Sequence, residues 1–285
     1  MPANILSASR RSDIPAFYMP WFMQQIEQGY FEVENPFNRR ISKIRAGVDE
    51  VHAIVFWSKN FGQFLDQGYG RQLRRRGYRL FFNFTINSPH PMLEPGMIPL
   101  ERRMDQLRRL CDSFGPNSIQ WRFDPICVFR NAQGRVSDNL DQFAAIAATT
   151  ASLGIKRCIT SFVDLYRKVK RRLAVQSEIA LLDPGMNRKV KIITEMARCL
   201  SAYDMDLYLC CEKEVLAALP AALGVRGAAC IPARHLMDLF GLQLTPRRDT
   251  GQRTAAGCGC NQSKDIGSYR LHPCRHDCLY CYANA

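Results

Sequence analysis

The carboxy-terminal stretch concentrates the residue types that could do chemistry. It reads CGCNQSKDIGSYRLHPCRHDCLYCY from residue 258 to residue 282, and it holds a large share of the 12 cysteines. These are Cys258, Cys260, Cys274, Cys278 and Cys281. The last three have C-x3-C-x2-C spacing, so their thiolates can converge on one centre without help from the rest of the fold.

Thiolate ligands narrow the choice of metal. Soft sulfur selects zinc, copper(I) or an iron–sulfur cluster. Three close cysteines with unequal spacing favour a [4Fe–4S] cluster, whose corners are held by cysteine thiolates. Zinc stays open as an alternative, although zinc sites more often show two separated C-x2-C pairs or histidines that complete the set. The sequence therefore predicts an iron–sulfur centre in the tail.

The remaining cysteines argue against a disulfide framework. They are scattered in apolar segments, which is typical of small buried hydrophobes: Cys111, Cys127, Cys158, Cys199, Cys210, Cys211 and Cys230. The first residues, MPANILSASRRSDIP, lack the apolar region of a secretory signal. We therefore expect a reducing, cytoplasmic setting, in which clustered cysteines bind metal rather than pair.

The segment PCRHDCLYCYAN resembles the cluster loop of radical S-adenosylmethionine (radical SAM) enzymes, particularly the spore photoproduct lyase branch. The resemblance implies that Cys274, Cys278 and Cys281 hold three irons, that the fourth iron binds the methionine part of the cofactor, and that Tyr280 lies near it. Together with SASRRSDIPAFY near the start and VFWSKN at residues 55–60, nearly the whole chain resembles an uncharacterised family. That family is catalogued as a domain of unknown function with a C-terminal radical-SAM-like cysteine motif.

Two other interpretations keep the tail cysteines and change their task. Cys258 or Cys260 could occupy the fourth iron position, which would make the cluster an electron-transfer centre. Alternatively, zinc could staple the tail while a basic surface binds nucleic acid.

The charge balance favours anionic partners. The chain of 285 residues has 39 basic and 26 acidic side chains, a net charge of +13, which suits phosphorylated metabolites, a negatively charged cofactor or nucleic acid. The basic residues gather near positions 71–76, 102–109, 168–172 and 247–253, and such groups are usually a solvated helix face. No apolar run approaches the length of a membrane-spanning helix, so we expect no membrane partner.

Short β-rich runs alternate with amphipathic helical segments, which predicts parallel βαβ units. The predicted strands are Ile5–Ser9, Val51–Trp57, Arg79–Ile86, Ile119–Phe123, Arg157–Val163, Leu207–Cys211 and Ala228–Ile231. The predicted helices are Phe17–Gln28, Phe61–Arg76, Leu100–Phe114, Asn139–Leu153, Asn187–Tyr203 and Glu214–Leu219. Seven such strands favour a TIM-like parallel βα barrel, complete or partial, over an open doubly wound sheet. We expect the barrel in residues 1–244, with a hairpin in residues 32–45, and a cluster-binding tail in residues 245–285 packed on it.

The predicted strands end in polar residues, and a barrel enzyme builds its site at that rim. We expect Asp124, Glu212 and Lys59 to be catalytic. Substrate- or cofactor-binding candidates share hydrogen-bonding or cationic side chains: Arg10, Arg11, Asp13, Asn60, Asn83, Arg122 and Tyr280. The non-catalytic alternative is that these residues form buried ion pairs in an inert barrel: Arg122–Asp124, Arg11–Asp13 and Lys59–Glu212.

These expectations combine into one functional hypothesis. The tail places a [4Fe–4S] cluster at the barrel mouth, where S-adenosylmethionine chemistry acts on a small anionic substrate. Such an enzyme needs an electron donor such as a flavodoxin or a ferredoxin.

Overall fold

The computed structural model describes residues 4–35, 38–175, 178–244 and 246–283. Its strands, in chain order, are β1 Asn4–Ala8, β2 Tyr30–Glu34, β3 Ile41–Arg45, β4 Val51–Ser58, β5 Leu80–Thr85, β6 Ile119–Ile126, β7 Val128–Asn131, β8 Val136–Asp138, β9 Arg157–Phe162, β10 Ile179–Leu182, β11 Asp206–Leu209, β12 Arg226–Gly227 and β13 Lys264–Asp265. Its α-helices are α1 Ile14–Phe17, α2 Met19–Gln28, α3 Gly62–Asp66, α4 Tyr69–Arg75, α5 Leu100–Phe114, α6 Phe143–Ser152, α7 Arg167–Val175, α8 Gly185–Ser201, α9 Lys213–Ala218 and α10 Ala233–Phe240.

One large sheet organises the chain. Its strand order is β12-β11-β9-β6-β5-β4-β1-β13, and every neighbouring pair is parallel. Apart from β13, the order follows the chain, as expected when helices connect parallel strands. The predicted α/β class with a parallel sheet is therefore confirmed. In the described residues no ladder joins β12 to β13, so a closed TIM-like barrel is not confirmed.

The tail nevertheless contacts both edges of this sheet. The N–H groups of Gly259 and Asn261 donate to the carbonyls of Ala228 and Ile231, each at 3.1 Å. Further along the tail, β13 pairs with β1, and Ile266 N–H donates to Ser7 O at 3.1 Å. One short stretch of tail thus lies against the last strand and the first.

The predicted bounds of most central strands agree with the structure, but three other features differ from the prediction. β12 lies at residues 226–227 rather than at 228–231, since carbonyls in the later stretch accept hydrogen bonds from the tail. The single helix predicted for residues 61–76 is two helices, because Gly68 adopts a left-handed conformation with φ of 65° between them. The small antiparallel sheet β10-β7-β8 was not predicted.

The hairpin predicted for residues 32–45 is confirmed as β2 and β3, which pair antiparallel. Pro36 and Phe37, in its predicted turn, lie outside the described residues, as does the predicted domain boundary at residue 245.

Alternating residues on the central strands divide the core into two faces. Phe56 and Phe82 point toward the helices, where their rings stack at 5.9 Å and meet Phe64 at 5.0 and 5.6 Å. The opposite face carries smaller side chains such as Ala53 and Val55, which pack in a separate buried cluster. Aromatic contacts of this kind add to the free energy gained by burial. The sheet is therefore covered on both faces.

Among the described residues, no helix is both long and apolar enough to cross a membrane.

Candidate functional site

The tail is hydrogen-bonded to residues at the carboxyl ends of the central strands. Asp265 accepts hydrogen bonds from Ser7 Oγ at 2.9 Å, from Ser9 Oγ at 2.7 Å and from Arg10 N–H at 2.8 Å. Gly267 allows this close approach, because a Cβ there would lie 2.1 Å from Ser9 Oγ. The tail is therefore anchored at the end of β1 before it reaches its cysteines.

Asp13 forms the next anchor. Its carboxylate caps α1 by accepting from Ala16 N–H at 3.0 Å, and it also accepts from Ser58 Oγ at 2.7 Å and Lys59 N–H at 2.9 Å. His276, inside the cysteine motif, places Nε2 2.7 Å from Asp13 Oδ2, and both side chains are buried. Asp13, predicted as a binding residue, holds the tail through His276.

Lys59 lies in a buried charged network with Glu94 and Tyr280. Its Nζ is 2.8 Å from Glu94 Oε1, and only 2% of the Glu94 side chain is exposed. Tyr280 donates its hydroxyl to the same carboxylate, and the Lys59 ammonium lies 5.6 Å from the Tyr280 ring centroid. Burial opposes the charge on each partner, yet the attraction between them raises the pKa of Lys59 and lowers the pKa of Glu94. The ion-pair partner of Lys59 is therefore Glu94 and not Glu212, the partner that the non-catalytic alternative predicted.

Asp124 sits where β6 and its neighbours end. Arg122 Nη2 is 2.5 Å from Asp124 Oδ2, the ion pair that the non-catalytic alternative predicted. Ser161 Oγ donates to Asp124 Oδ1 at 2.5 Å. Asn87 bridges this site to the tail, since its Oδ1 accepts from Asp124 N–H at 2.8 Å and its Nδ2 contacts Tyr280 and Glu94. The two predicted catalytic positions Lys59 and Asp124 are thus linked through Glu94 and the Asn87 amide.

Three predicted residues have their hydrogen-bonding groups engaged in local structure. Asn60 Oδ1 accepts from Gly62 N–H at 2.9 Å and from Gln106 Nε2 at 2.8 Å, on the helix side of the sheet. Asn83 is fully buried and donates to Cys230 O at 3.0 Å. Glu212 accepts from Phe162 N–H at 2.9 Å, and burial raises its pKa.

Arg11 does not form the ion pair with Asp13 that the non-catalytic alternative predicted. Its Nη1 donates to Gly267 O at 3.2 Å instead, because Asp13 is occupied by His276 and the α1 N-terminus.

The three motif cysteines lie close enough to influence one another's ionisation. Burial raises the pKa of Cys274 to about 12 and raises that of Cys278 as well, while Lys59 opposes the shift at both. Arg172 on α7 donates to three backbone carbonyls around them, those of Cys278 at 3.3 Å, Leu279 at 2.6 Å and Cys281 at 3.1 Å. In the part of the chain that the structure describes, no three or more His, Cys, Asp or Glu side chains are placed to hold a metal ion as they stand.

Cys258 and Cys260 belong to a second group of thiols. Cys258 interacts with Cys211 and with Cys260, and Cys260 interacts in turn with Cys230. Cys210 closes the ring, with its Sγ 3.7 Å from the Sγ of both Cys211 and Cys230. Cys230 is buried, and Cys210 and Cys211 pack against the same apolar cluster, as the sequence predicted. The sequence did not indicate that the fold gathers all three at the ends of β11 and β12.

Two arginines predicted as binding residues lie against this thiol group. Arg122 Nη1 donates to Cys230 Sγ at 2.7 Å, and Arg10 is hydrogen-bonded with Cys260. Each guanidinium also lies 5.3 Å from the ring centroid of Trp57. Hydrogen bonding with Cys230 and Cys258, together with the charge of Arg10, lowers the pKa of Cys260.

Comparison with known protein families identifies the chain at the family level. The model of the family described as "Domain of unknown function (DUF1848)" matches residues 5–283. The chain belongs to this family. No curated protein matches the chain. The uncharacterised family expected from the sequence motifs is confirmed.

Sequence reasoning missed Glu94, which positions the tail of this DUF1848 domain, and it did not predict the contacts of Asn87 and His276. Glu94 comes from the loop after β5, where no periodic pattern gave a signal. Asn87 ends the alternating polar run Asn83, Thr85 and Asn87 at the predicted strand end, but its role as a bridge to the tail was not predicted. His276 stood inside the cysteine motif, and its neighbour in space, Asp13, stood inside the quoted SASRRSDIPAFY segment. A buried carboxylate needs a partner, and that rule could have linked the two.

The basic groups of the DUF1848 domain divide between surface and interior. Arg103 on α5 is fully buried, with Nη1 3.2 Å from Asn87 O and 3.9 Å from Glu94 Oε2, so it does not belong to a solvated face. Lys168, Lys170 and Arg171 on α7 are exposed. Two surface clefts in the described chain, one beside α3 to α5 and one beside β10, are lined by none of the predicted site residues.

Proposed function

We propose that this chain is an iron–sulfur enzyme in which Cys274, Cys278 and Cys281 hold a [4Fe–4S] cluster with one iron open. The observation that carries the proposal is the separation of the tail cysteines into two groups. Cys258 and Cys260 interact with Cys211 and Cys230, so they are engaged away from the motif. A fourth protein ligand from that pair would have to break these contacts, which favours an open iron over a closed electron-transfer cluster.

The donor set fits a cluster. Three soft sulfur atoms come from one short loop, and such atoms suit iron and sulfide. Because burial raises the pKa of Cys274 and Cys278, these thiols would bind metal with release of protons. Lys59 stabilises the thiolate form of Cys278. Loading requires the loop to turn its thiols toward one centre.

The surrounding residues hold the loop in place for that purpose. Arg172 fixes its carbonyl groups, and His276 ties it to Asp13. Tyr280 carries its ring into the rim and shares Glu94 with Lys59. These contacts fix the backbone on both sides of Cys278, which limits the rearrangement needed for ligation.

The chemistry follows from the resemblance to radical SAM enzymes. When bound, a cluster with an open iron supplies reductive cleavage of S-adenosylmethionine. Arg11 lies at the rim with an exposed portion and suits a small anionic substrate, while Asp124 is held by Arg122 and Ser161 at the same rim. The exposed cations of α7 lie beside the tail and suit an acidic electron donor such as a flavodoxin or ferredoxin.

We further infer that the sheet curls into a TIM-like barrel. The tail from Gly259 to Ile266 donates to both edge regions of the sheet. Inner-face residues of distant strands, Ile5, Val55, Ile159 and Tyr208 among them, belong to one buried cluster. Both observations are expected if the tail closes a curved sheet.

Anaerobic purification tests the proposal. The protein should contain iron and acid-labile sulfide, and adding S-adenosylmethionine should change the electron paramagnetic resonance spectrum of the reduced cluster. Cys274→Ser, Cys278→Ser and Cys281→Ser should each lose the cluster, whereas Cys111→Ser, a buried thiol on α5, should keep it. A cluster that needs Cys260 as much as Cys278, with a spectrum indifferent to S-adenosylmethionine, would contradict the proposal.

A further inference from the structure

The second cysteine group has the composition and spacing of a metal site in its own right. Its members are Cys210, Cys211, Cys230, Cys258 and Cys260. The contacts Cys210–Cys211, Cys210–Cys230, Cys230–Cys260, Cys260–Cys258 and Cys258–Cys211 form a closed ring of sulfur atoms.

Two of the sulfur separations, both from Cys210, are close to those between ligands of a single tetrahedral ion. With zinc–sulfur bonds of about 2.3 Å, two ligands of a tetrahedral site lie roughly 1.6 bond lengths apart, or about 3.8 Å. Cys210 Sγ lies 3.7 Å from two neighbouring sulfur atoms. No three of the described thiols form a metal site as they stand, so ligation requires these side chains to turn toward one centre.

The backbone is built to bring these thiols together. Cys210 and Cys230 follow β11 and β12, which are neighbouring strands, and Cys258 and Cys260 lie on the tail segment hydrogen-bonded beside Ala228. Gly259 between them permits the approach, since a Cβ there would lie 2.7 Å from Ala228 O. Cys258 and Cys260 share one side of this segment because alternate residues of an extended chain do so.

The charges around the ring are those that a thiolate-bound ion needs. A divalent ion with four thiolates carries a double negative charge, and two guanidinium groups, those of Arg10 and Arg122, contact Cys260 and Cys230. Outer hydrogen bonds to ligating sulfur orient and stabilise such ligands. Arg10 Nη2 is buried and has no hydrogen-bond partner among the described residues, which leaves it available for a further sulfur contact.

We propose that four of these five thiolates, with Cys230 and Cys260 among them, bind one tetrahedral divalent metal ion of the zinc type. The ion staples the tail to the carboxyl ends of β11 and β12. It is separate from the motif of residues 274–281, and its task is to hold the segment that leads to that motif. A structural thiolate site of this kind is closed to substrate.

The test measures zinc, iron and sulfide together. A variant combining Cys274→Ser, Cys278→Ser and Cys281→Ser should retain about one divalent ion per chain, zinc or sulfide-free iron, as a closed tetrathiolate site requires. Cys230→Ser and Cys260→Ser should each lose that ion, and Cys199→Ser, at a half-buried position on α8, should retain it. Hydrogen exchange in residues 258–266 should become faster when a chelator removes the ion from the native protein.

The outcomes separate the two proposals. Failure of the iron–sulfur proposal would appear as absence of sulfide from the native protein. The staple is overturned if the triple variant is metal-free, if Cys230→Ser and Cys260→Ser keep a full complement of metal, or if the five thiols are found in disulfides in anaerobic protein. Alkylation of the intact native protein tests the site without any substitution, so it applies even if the variants fold poorly. Thiols that bind the ion should resist alkylation until a chelator is added.

Discussion

At the scale of single residues, the site depends on buried charges that neutralise one another. Lys59 and Glu94 form the central pair, and Tyr280 and Arg103 complete it. The sequence indicated Lys59, because it stands in a polar strand end, but it gave no signal for Glu94. The partner comes from a loop whose path depends on tertiary packing.

Glu94→Gln should destabilise the protein by about 3–5 kcal/mol at neutral pH, because it leaves the Lys59 ammonium buried without a counter-charge. Denaturant unfolding monitored by circular dichroism measures this loss. Glu101→Gln, an exposed position at the start of α5, is the matched control and should change the free energy of unfolding little. Equal stability of the two variants would contradict the assigned pairing.

The same comparison has a defined pH dependence. The pKa of Glu94 is lowered in the folded protein, so its contribution is complete above the unfolded value and is lost as pH falls through the folded one. The difference in unfolding free energy between the native protein and Glu94→Gln should therefore be constant from pH ~7 to ~5 and should narrow below pH ~4. A difference that widened on acidification would contradict the charged state of the pair.

At the scale of elements, α7 and the loop before α5 hold the tail. α7 was not predicted, because its sequence RKVKRRLAV is mostly charged and carries a weak apolar face. α5, whose apolar residues recur at helical spacing, was predicted with its observed bounds. Periodicity reveals helices that cover a core, whereas a helix that clamps another segment through one arginine leaves no such pattern.

Arg172→Ala should loosen the cysteine loop, because three carbonyl groups lose their donor. Hydrogen exchange of residues 278–283 should become faster by roughly tenfold for each ~1.4 kcal/mol lost. Arg171→Ala, which removes the neighbouring exposed cation on the same helix, should leave the exchange rate unchanged. Equal protection in both variants would show that Arg172 does not hold the loop.

Gly96→Ala should push the cysteine loop away from its seat. A Cβ at this position would lie 2.7 Å from His276 O, a backbone atom that cannot turn aside. We expect less iron bound after anaerobic reconstitution, as measured by iron content per chain. Gly227→Ala is the control, since its added Cβ would meet only Leu216 at 3.8 Å. Full iron loading of Gly96→Ala would count against the observed docking.

At the scale of the whole molecule, the alternation of strands and helices was sufficient to predict the parallel sheet. Two features could not be predicted because they join residues that are far apart in the sequence. Cys210 and Cys230 looked like core residues because nothing local links them to Cys258 and Cys260, which the fold brings from the far end of the chain. β13 is only two residues long and pairs with β1 across most of the sequence, so no local pattern could place it.

The proposed function requires three tail thiolates to hold a cluster with one iron free of protein ligands. The Mössbauer spectrum of protein reconstituted anaerobically with iron-57 tests this most directly. We expect one iron of the cluster to differ from the others and to shift when S-adenosylmethionine is added, as an iron without a cysteine ligand should. Four equivalent irons that ignore S-adenosylmethionine, or protein that takes up no iron, would contradict the account.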